Sequence, residues 1–113
     1  MHELSIVLSI VDSVEAEVSR QEAKEVRRIE LDIGTLAGIE WDSFDFAWTP
    51  AIKNTVLEHA KRVINHIPAM ADCIECGHEF EKHAAYDSCP ICGNYLHRLK
   101  SGKELKIKSL VIA

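Results

Sequence analysis

Cys73-Ile74-Glu75-Cys76-Gly77 and Cys89-Pro90-Ile91-Cys92-Gly93, with twelve residues between Cys76 and Cys89, are the stretch on which the fold turns. Each half is a Cys-x2-Cys pair followed by glycine, the residue that reaches the positive-φ turn in which backbone N–H groups face sulfur. Two such knuckles clasp one tetrahedral Zn²⁺ with four thiolates, and the spacing reads as a zinc ribbon with Cys73, Cys76, Cys89 and Cys92 as ligands. A rubredoxin-like iron site and four free or redox-active cysteines are the alternatives. Four protein thiolates leave no open coordination position, so zinc here is structural rather than catalytic. The segment 69–101 is too short for a core of its own, and a metal is the usual remedy.

Periodicity organises the chain on either side. Leu4, Val7, Leu8, Val11, Val14 and Val18 recur at helical spacing, with Asp12, Glu15 and Glu17 off the stripe, which predicts an amphipathic helix. From Val26 to Ile33 the period falls to two, with Ile29, Leu31 and Ile33 against Arg28, Glu30 and Asp32, and Gly34 ends this strand. Trp41, Phe44, Trp48 and Ile52 fit a second helix. Pro50 predicts that this helix is kinked or broken there, with Thr49 capping a restart and the end near Asn54. Lys61 to Ala71 reads as a second strand, with Pro68 marking an edge or a bend. Glu104 to Ile112 reads as a third, with Leu105, Ile107 and Val111 on one face and Lys106 and Lys108 on the other. The expected class is α+β: two helices packed on a three-stranded sheet, built from residues 1–68 plus 102–113, with residues 69–101 as an inserted zinc-ribbon module.

Composition narrows the function. The 113 residues are 47% apolar and 27% charged, ordinary for a soluble globular protein. Thirteen Lys and Arg against eighteen Asp and Glu give −5, a balance that disfavours nucleic acid as a partner. The ribbon itself has Lys82, Arg98 and Lys100 against Asp72, Glu75, Glu79, Glu81 and Asp87. Four thiolates around one Zn²⁺ make it more negative still, and Phe80, Tyr86 and Tyr95 form no stacking cluster. No apolar run reaches the roughly 18 residues of a membrane span. Met1 to Val18 lacks a basic n-region and is interrupted by acids, so no signal peptide is expected and the location is expected to be cytoplasmic. There is no Gly-rich phosphate loop, nucleophile elbow or His-Glu-x-x-His, and no enzyme activity is expected.

The beginning of the chain, Met1-His2-Glu3-Leu4, offers a second metal chemistry. His2 is too large for removal of the initiator methionine, so Met1 is retained. The α-amine, the His2 amide nitrogen and the His2 imidazole can close chelate rings on one ion, and a nitrogen-rich square-planar set suits Ni(II) or Cu(II). The first N–H groups of a helix have no intrahelical partner, so deprotonating the amide of His2 or Glu3 breaks no helix bond. On spacing alone, an exposed surface histidine is the competing reading.

Met1-His2-Glu3-Leu4-Ser5, Leu31-Asp32-Ile33-Gly34 leading to Leu36-Ala37-Gly38, Phe46-Ala47, Pro68-Ala69 before Cys73, the Cys-Pro-x-Cys-Gly knuckle, and Ser101-Gly102-Lys103-Glu104-Leu105 with Lys108-Ser109-Leu110 together resemble the HypA/HybF family, end to end. That resemblance implies a nickel metallochaperone for [NiFe]-hydrogenase maturation, with Ni²⁺ at Met1, His2 and Glu3 and structural Zn²⁺ on the four cysteines. It implies a HypB-type nickel GTPase and the hydrogenase large-subunit precursor as partners and, in some organisms, urease maturation proteins. Pro50 departs from the uninterrupted helix expected there. His59, His66, His78, His83 and His97 belong to no motif; His78 stands two residues from Cys76, and His97 is a candidate to reach nickel. A zinc-ribbon adaptor that recognises proteins without transferring nickel is the runner-up, and a nucleic-acid-binding ribbon comes third.

Overall fold

A computed structural model describes residues 3–113. The chain runs α1 (Glu3–Arg20), β1 (Val26–Gly34), α2 (Trp41–Ile52), β2 (Lys61–Ile67), β3 (Ala69–Cys73), β4 (Glu79–Lys82), β5 (His97–Leu99) and β6 (Leu105–Ile112). Two three-stranded sheets result, ordered β2-β1-β6 and β4-β3-β5. The chain divides into two compact units: one takes the residues up to Leu31, Ile39–Ile64 and Ile107–Ala113, the other Asp32–Gly38 and Asn65–Lys106.

In the first unit, Val7, Ile10, Val11, Val14 and Val18 line the buried face of α1 and share a core with Val26, Ile29 and Leu31 of β1, Phe44 and Trp48 of α2, and Leu57. The stripe differs in detail from the periodic reading, because Ile10 is buried while Leu4 and Leu8 are 53% and 46% exposed. The helix has rotated its apolar face toward Ile10, and a leucine pair is left on the outside. Phe44 meets Trp41 edge-on at 5.5 Å and lies 5.9 Å from Trp48. The Arg62 guanidinium lies over both rings, 5.7 Å from Phe44 and 5.0 Å from Trp48, and donates to Asp45 at 2.8 Å. On β1, Glu30 accepts from Arg28 at 3.3 Å and from Ser109 of β6 at 3.0 Å.

Helix α2 runs unbroken through Pro50, with no restart at Thr49, and ends at Ile52. Proline forfeits the N–H that would return to the Phe46 carbonyl and sets its ring against that carbonyl; with only Ala51 and Ile52 left in the helix, a tilt there disturbs little that follows. The helix begins instead at Glu40, whose side chain accepts the amide of Asp42 at 3.0 Å.

The apolar run 61–71 is also not one strand. It divides at Pro68 into β2 and β3, which belong to different sheets. Proline has no N–H for a ladder, so the run changes partners there. β6 lies where the alternation places it but buries little: Leu105 and Val111 are 40% and 47% exposed, as suits the edge of its sheet.

The second unit holds the ribbon. β3 pairs antiparallel with β4 (Ala69↔Lys82 to Asp72↔Glu79) and with β5 (Ala71↔Leu99 to Cys73↔His97). Its small core is Ala71, Cys73, Phe80 and Cys89, with Leu99 against it. Gly34 and Gly102 pass so closely that a Cβ on Gly34 would lie 2.0 Å from the Gly102 carbonyl oxygen, so neither position has room for a side chain.

Candidate metal centre

The two knuckles repeat one hydrogen-bond plan. The amides of Gly77 and Gly93 donate to the carbonyls of Cys73 and Cys89, each at 2.9 Å. The amides of Cys73 and Cys89 donate in turn to the carbonyls of His78 and Asn94, again at 2.9 Å. Gly77 and Gly93 sit at φ +75° and +76°, and a Cβ on either would meet nothing within 4 Å. What glycine supplies here is the left-handed backbone rather than empty space.

These turns bring the four sulfurs within 4.8 Å of one another, with Cys73 and Cys92 Sγ 3.5 Å apart and Cys76 and Cys89 Sγ 3.6 Å apart. Sulfurs at zinc's tetrahedral bond length are about 3.8 Å apart, whereas a disulfide would require about 2.05 Å. The residues present therefore fit a four-thiolate zinc. Cys73 and Cys89 are buried at the base of the knuckles, and Cys76 and Cys92 are exposed.

The thiols divide by acidity. The amide of Cys76 and the hydrogen bond from Cys92 draw Cys73 below the usual thiol range. Burial pushes Cys89 up, but the amides of Cys92 and Ile91 and the neighbouring thiols outweigh it and bring Cys89 down to about 7. Cys76 is raised: the amide of His78 favours its thiolate, but burial and the neighbouring Cys89 and Cys73 sulfurs prevail. The Asn94 amide likewise favours the Cys92 thiolate, but the sulfurs of Cys73, Cys76 and Cys89, together with burial, push Cys92 up to about 12. Two thiolates form readily and the other two resist a concentration of negative charge. A divalent cation removes that conflict.

Beside the centre, Lys82 is a buried cation that sequence reasoning missed. Its Nζ donates to the Ala85 carbonyl at 2.7 Å and lies 2.7 Å from His97 Nε2. The Nδ1 of the same ring lies 2.9 Å from the Tyr95 carbonyl, so His97 carries its proton on Nδ1. That ring also meets Phe80 edge-on at 6.3 Å. The only signal in the sequence is the alternation Glu79-Phe80-Glu81-Lys82, which puts the lysine on the phenylalanine's face. His78 is exposed and takes part through its backbone, and His83 is exposed, with Nδ1 3.8 Å from Glu81.

Of the amino-terminal candidates, Met1 and His2 lie outside the described residues. Glu3 opens α1, is 9% exposed, and its Oε2 accepts the amide of Glu40 at 3.0 Å, tying the start of α1 to the start of α2. Among the described residues, the four cysteines are the cluster of metal-ligand side chains, and no helix is long and apolar enough to cross a membrane.

Comparison with known proteins places the chain in a family. The chain is 42% identical over 112 residues to the hydrogenase maturation factor HypA of Parabacteroides distasonis, covering 99% of this chain and 97% of that protein. It is 38% identical to the HypA of Prosthecochloris aestuarii, covering 99% of both. In fold it matches the solution structure of the Ni metallochaperone HypA from Helicobacter pylori, with a TM-score of 0.69 and 24% identity over 99% of this chain and 97% of that one. The family described as hydrogenase/urease nickel incorporation, metallochaperone, hypA matches residues 1–112, and the chain therefore belongs to the HypA family of nickel-incorporation metallochaperones that serve hydrogenase maturation.

Proposed function

We propose that this chain binds Ni(II) at Met1, His2 and Glu3 and passes it to the [NiFe]-hydrogenase precursor, with a HypB-type GTPase as its partner. Cys73, Cys76, Cys89 and Cys92 hold a structural Zn²⁺ that organises residues 69–101 as a module distinct from residues 1–68 and 102–113. The observation that carries this reading is the family match from residue 1 to residue 112, which takes in both the Met-His-Glu head and the two knuckles. The protein is a carrier, and no covalent chemistry is assigned to it.

Each residue has a separate task. The α-amine and the His2 imidazole supply neutral nitrogen donors, and deprotonated amides near the start of α1 complete a nitrogen-rich set. Glu3 brings negative charge to that end of the helix, where the macrodipole favours it. A terminus is open to attack by an incoming ligand on one side while the others still hold, which is what transfer requires and a closed cage prevents. Zinc, when bound, supplies cross-linking of the two knuckles.

The test is a Ni(II) titration of tag-free protein beside a variant with one residue added before Met1. The extension removes the amine from its chelate ring and is expected to weaken binding strongly; His2→Gln removes the imidazole, and zinc content stays unchanged in both. The amine's ordinary pKa is about 7.7–8.0, so affinity falls as pH drops from about 8 toward 6. Equal nickel affinity in the extended and native proteins would overturn the terminal site.

A further inference from the structure

Helix α2 buries Phe44, Trp48 and Ile52, yet its opposite side sets apolar residues beside the polar Asp42 and Ser43. Phe46 is 85% exposed there. Phe46, Ala47 and Pro50 of α2 form, with Leu4 of α1, the floor of an open groove of about 700 Å³. Leu8, one turn beyond Leu4 and 46% exposed, extends the apolar stripe along α1. The charged residues lining the groove are Glu3 and Asp42, both acidic. Pro50 also returns no N–H to the carbonyl of Phe46, so the wall beside the aromatic ring lacks one ordinary helical donor and gains acceptor capacity.

We propose that this groove is a docking site for an amphipathic helix of a partner protein, with an apolar stripe seated on Leu4, Phe46, Ala47 and Pro50 and lysine or arginine on its flank against the exposed Asp42, the buried Glu3 carboxylate adding to the negative charge behind it. A trough between two helices presents the geometry that accepts side chains spaced i, i+3, i+4 and i+7 from a third helix. It is too open to bury most of a small ligand, which enclosed pockets do. The acidic rim decides the sign of the partner. A second copy of this chain would bring the same negative rim against it, and phosphate-rich or anionic lipid surfaces would be repelled for the same reason. Glu3 lines the groove and belongs to the proposed nickel site, so a helix held here stands beside the metal. Docking itself needs no nickel.

The experiment uses zinc-loaded, nickel-free protein labelled with ¹⁵N and two synthetic helical peptides of about 15–20 residues. Both carry leucine at i, i+3, i+4 and i+7; one is flanked by lysine, the other by glutamate. The lysine peptide is expected to shift the amides of Leu4, Ser43, Phe46 and Ala47, with an affinity that falls as salt rises, and the glutamate peptide to bind at least about tenfold more weakly. Phe46→Asp is expected to weaken the lysine peptide about tenfold or more, with unchanged thermal unfolding because the ring is on the surface. Asp42→Lys should narrow the preference between the two peptides. Nickel affinity of Phe46→Asp should equal that of the native protein, so loss of the groove is distinguishable from loss of the terminal site. Equal binding of the two peptides, shifts confined to the ribbon, full binding by Phe46→Asp, or the same amides shifting with protein concentration alone, which would mean a second copy, each overturn the proposal.

Discussion

The helical unit and the ribbon solve the problem of staying folded by different physics. In the first, α1, β1 and α2 bring together valines, isoleucines and leucines around Phe44, which is fully buried and touches two tryptophans and an arginine. In the second, the buried core is an alanine, a phenylalanine and two of the cysteines themselves, with Leu99 alongside. A core of that size supplies too little hydrophobic driving force to order three short strands and two knuckles. Two of the four residues that would bind metal, Cys73 and Cys89, thus also fill the core. The difference leads us to expect metal affinity and folding to be coupled in the ribbon, whereas the helical unit has an apolar core that owes nothing to a metal.

The strongest way to break the comparison is to remove a ligand. Cys73→Ser or Cys92→Ser, or chelation of zinc, is expected to collapse the amide dispersion of β3, β4 and β5 while Ile29 and Leu31 keep their native shifts in a ¹⁵N spectrum. Collapse of both regions together would mean that they fold as one body. The converse substitution, Phe44→Ala, should cost about 3–5 kcal/mol in urea unfolding. Zinc affinity, measured by competition with a chromophoric chelator, should remain within a few-fold of the native protein.

Acid provides a graded version of the first test. In the metal-free ribbon Cys92 is pushed up to about 12 and Cys76 is raised, so both still carry protons near neutrality, and Cys89 at about 7 is half protonated there. Zinc requires thiolates and must displace those protons. Two protons displaced per ion weaken zinc binding about 100-fold for each pH unit lost, and Cys89 steepens the slope below pH 7. Calorimetry at neutral pH in buffers of different ionisation enthalpy should count at least two protons released per zinc. Unfolding of Phe44→Ala should follow no such slope. The smallest expected effect is that of Gly93→Ala, which forces a methyl-bearing residue to φ +76°. It should cost about 1–2 kcal/mol of ribbon stability, seen as faster zinc loss to chelator, without altering the tetrathiolate spectrum of a Co(II)-substituted protein.

These two ways of folding also explain what could be read from the residues alone. Elements held by apolar burial declare themselves by period, as α1 and β1 do. The precise face is less legible: Leu4 and Leu8 belong to the same 3.6-residue repeat as Val7 and Val11, and only packing with α2 and β1 chooses Ile10 over them. Pro50 misleads because the lost bond and the crowding involve the turn before it, which Phe44 and Trp48 hold by burial, and only two helical residues follow. Pro68 marks a bend, but nothing local says that the strand beyond it joins another sheet. β4 and β5 span Glu79–Lys82 and His97–Leu99, too short to carry a period, and their order comes from pairing with β3 beside the knuckles. The cysteine spacing, in contrast, is legible because metal geometry admits few alternatives. Lys82 is easily passed over for the opposite reason: a lysine is ordinarily assigned to solvent, and a four-residue alternation is too short to overrule that.

That buried lysine makes the ribbon report on its own integrity. Lys82 holds its ammonium against a carbonyl and an imidazole and is 2% exposed, while Lys24, Lys53, Lys61, Lys100, Lys103, Lys106 and Lys108 stand partly or fully in solvent. Acylating reagents and trypsin therefore meet every lysine of the described chain before this one. Mass spectrometry of a partly acylated sample would find Lys82 spared in molecules whose two knuckles are clasped and modified in those whose knuckles have parted. The fraction labelled at this one amine, taken over time, measures how often the ribbon opens, without any probe attached to the metal.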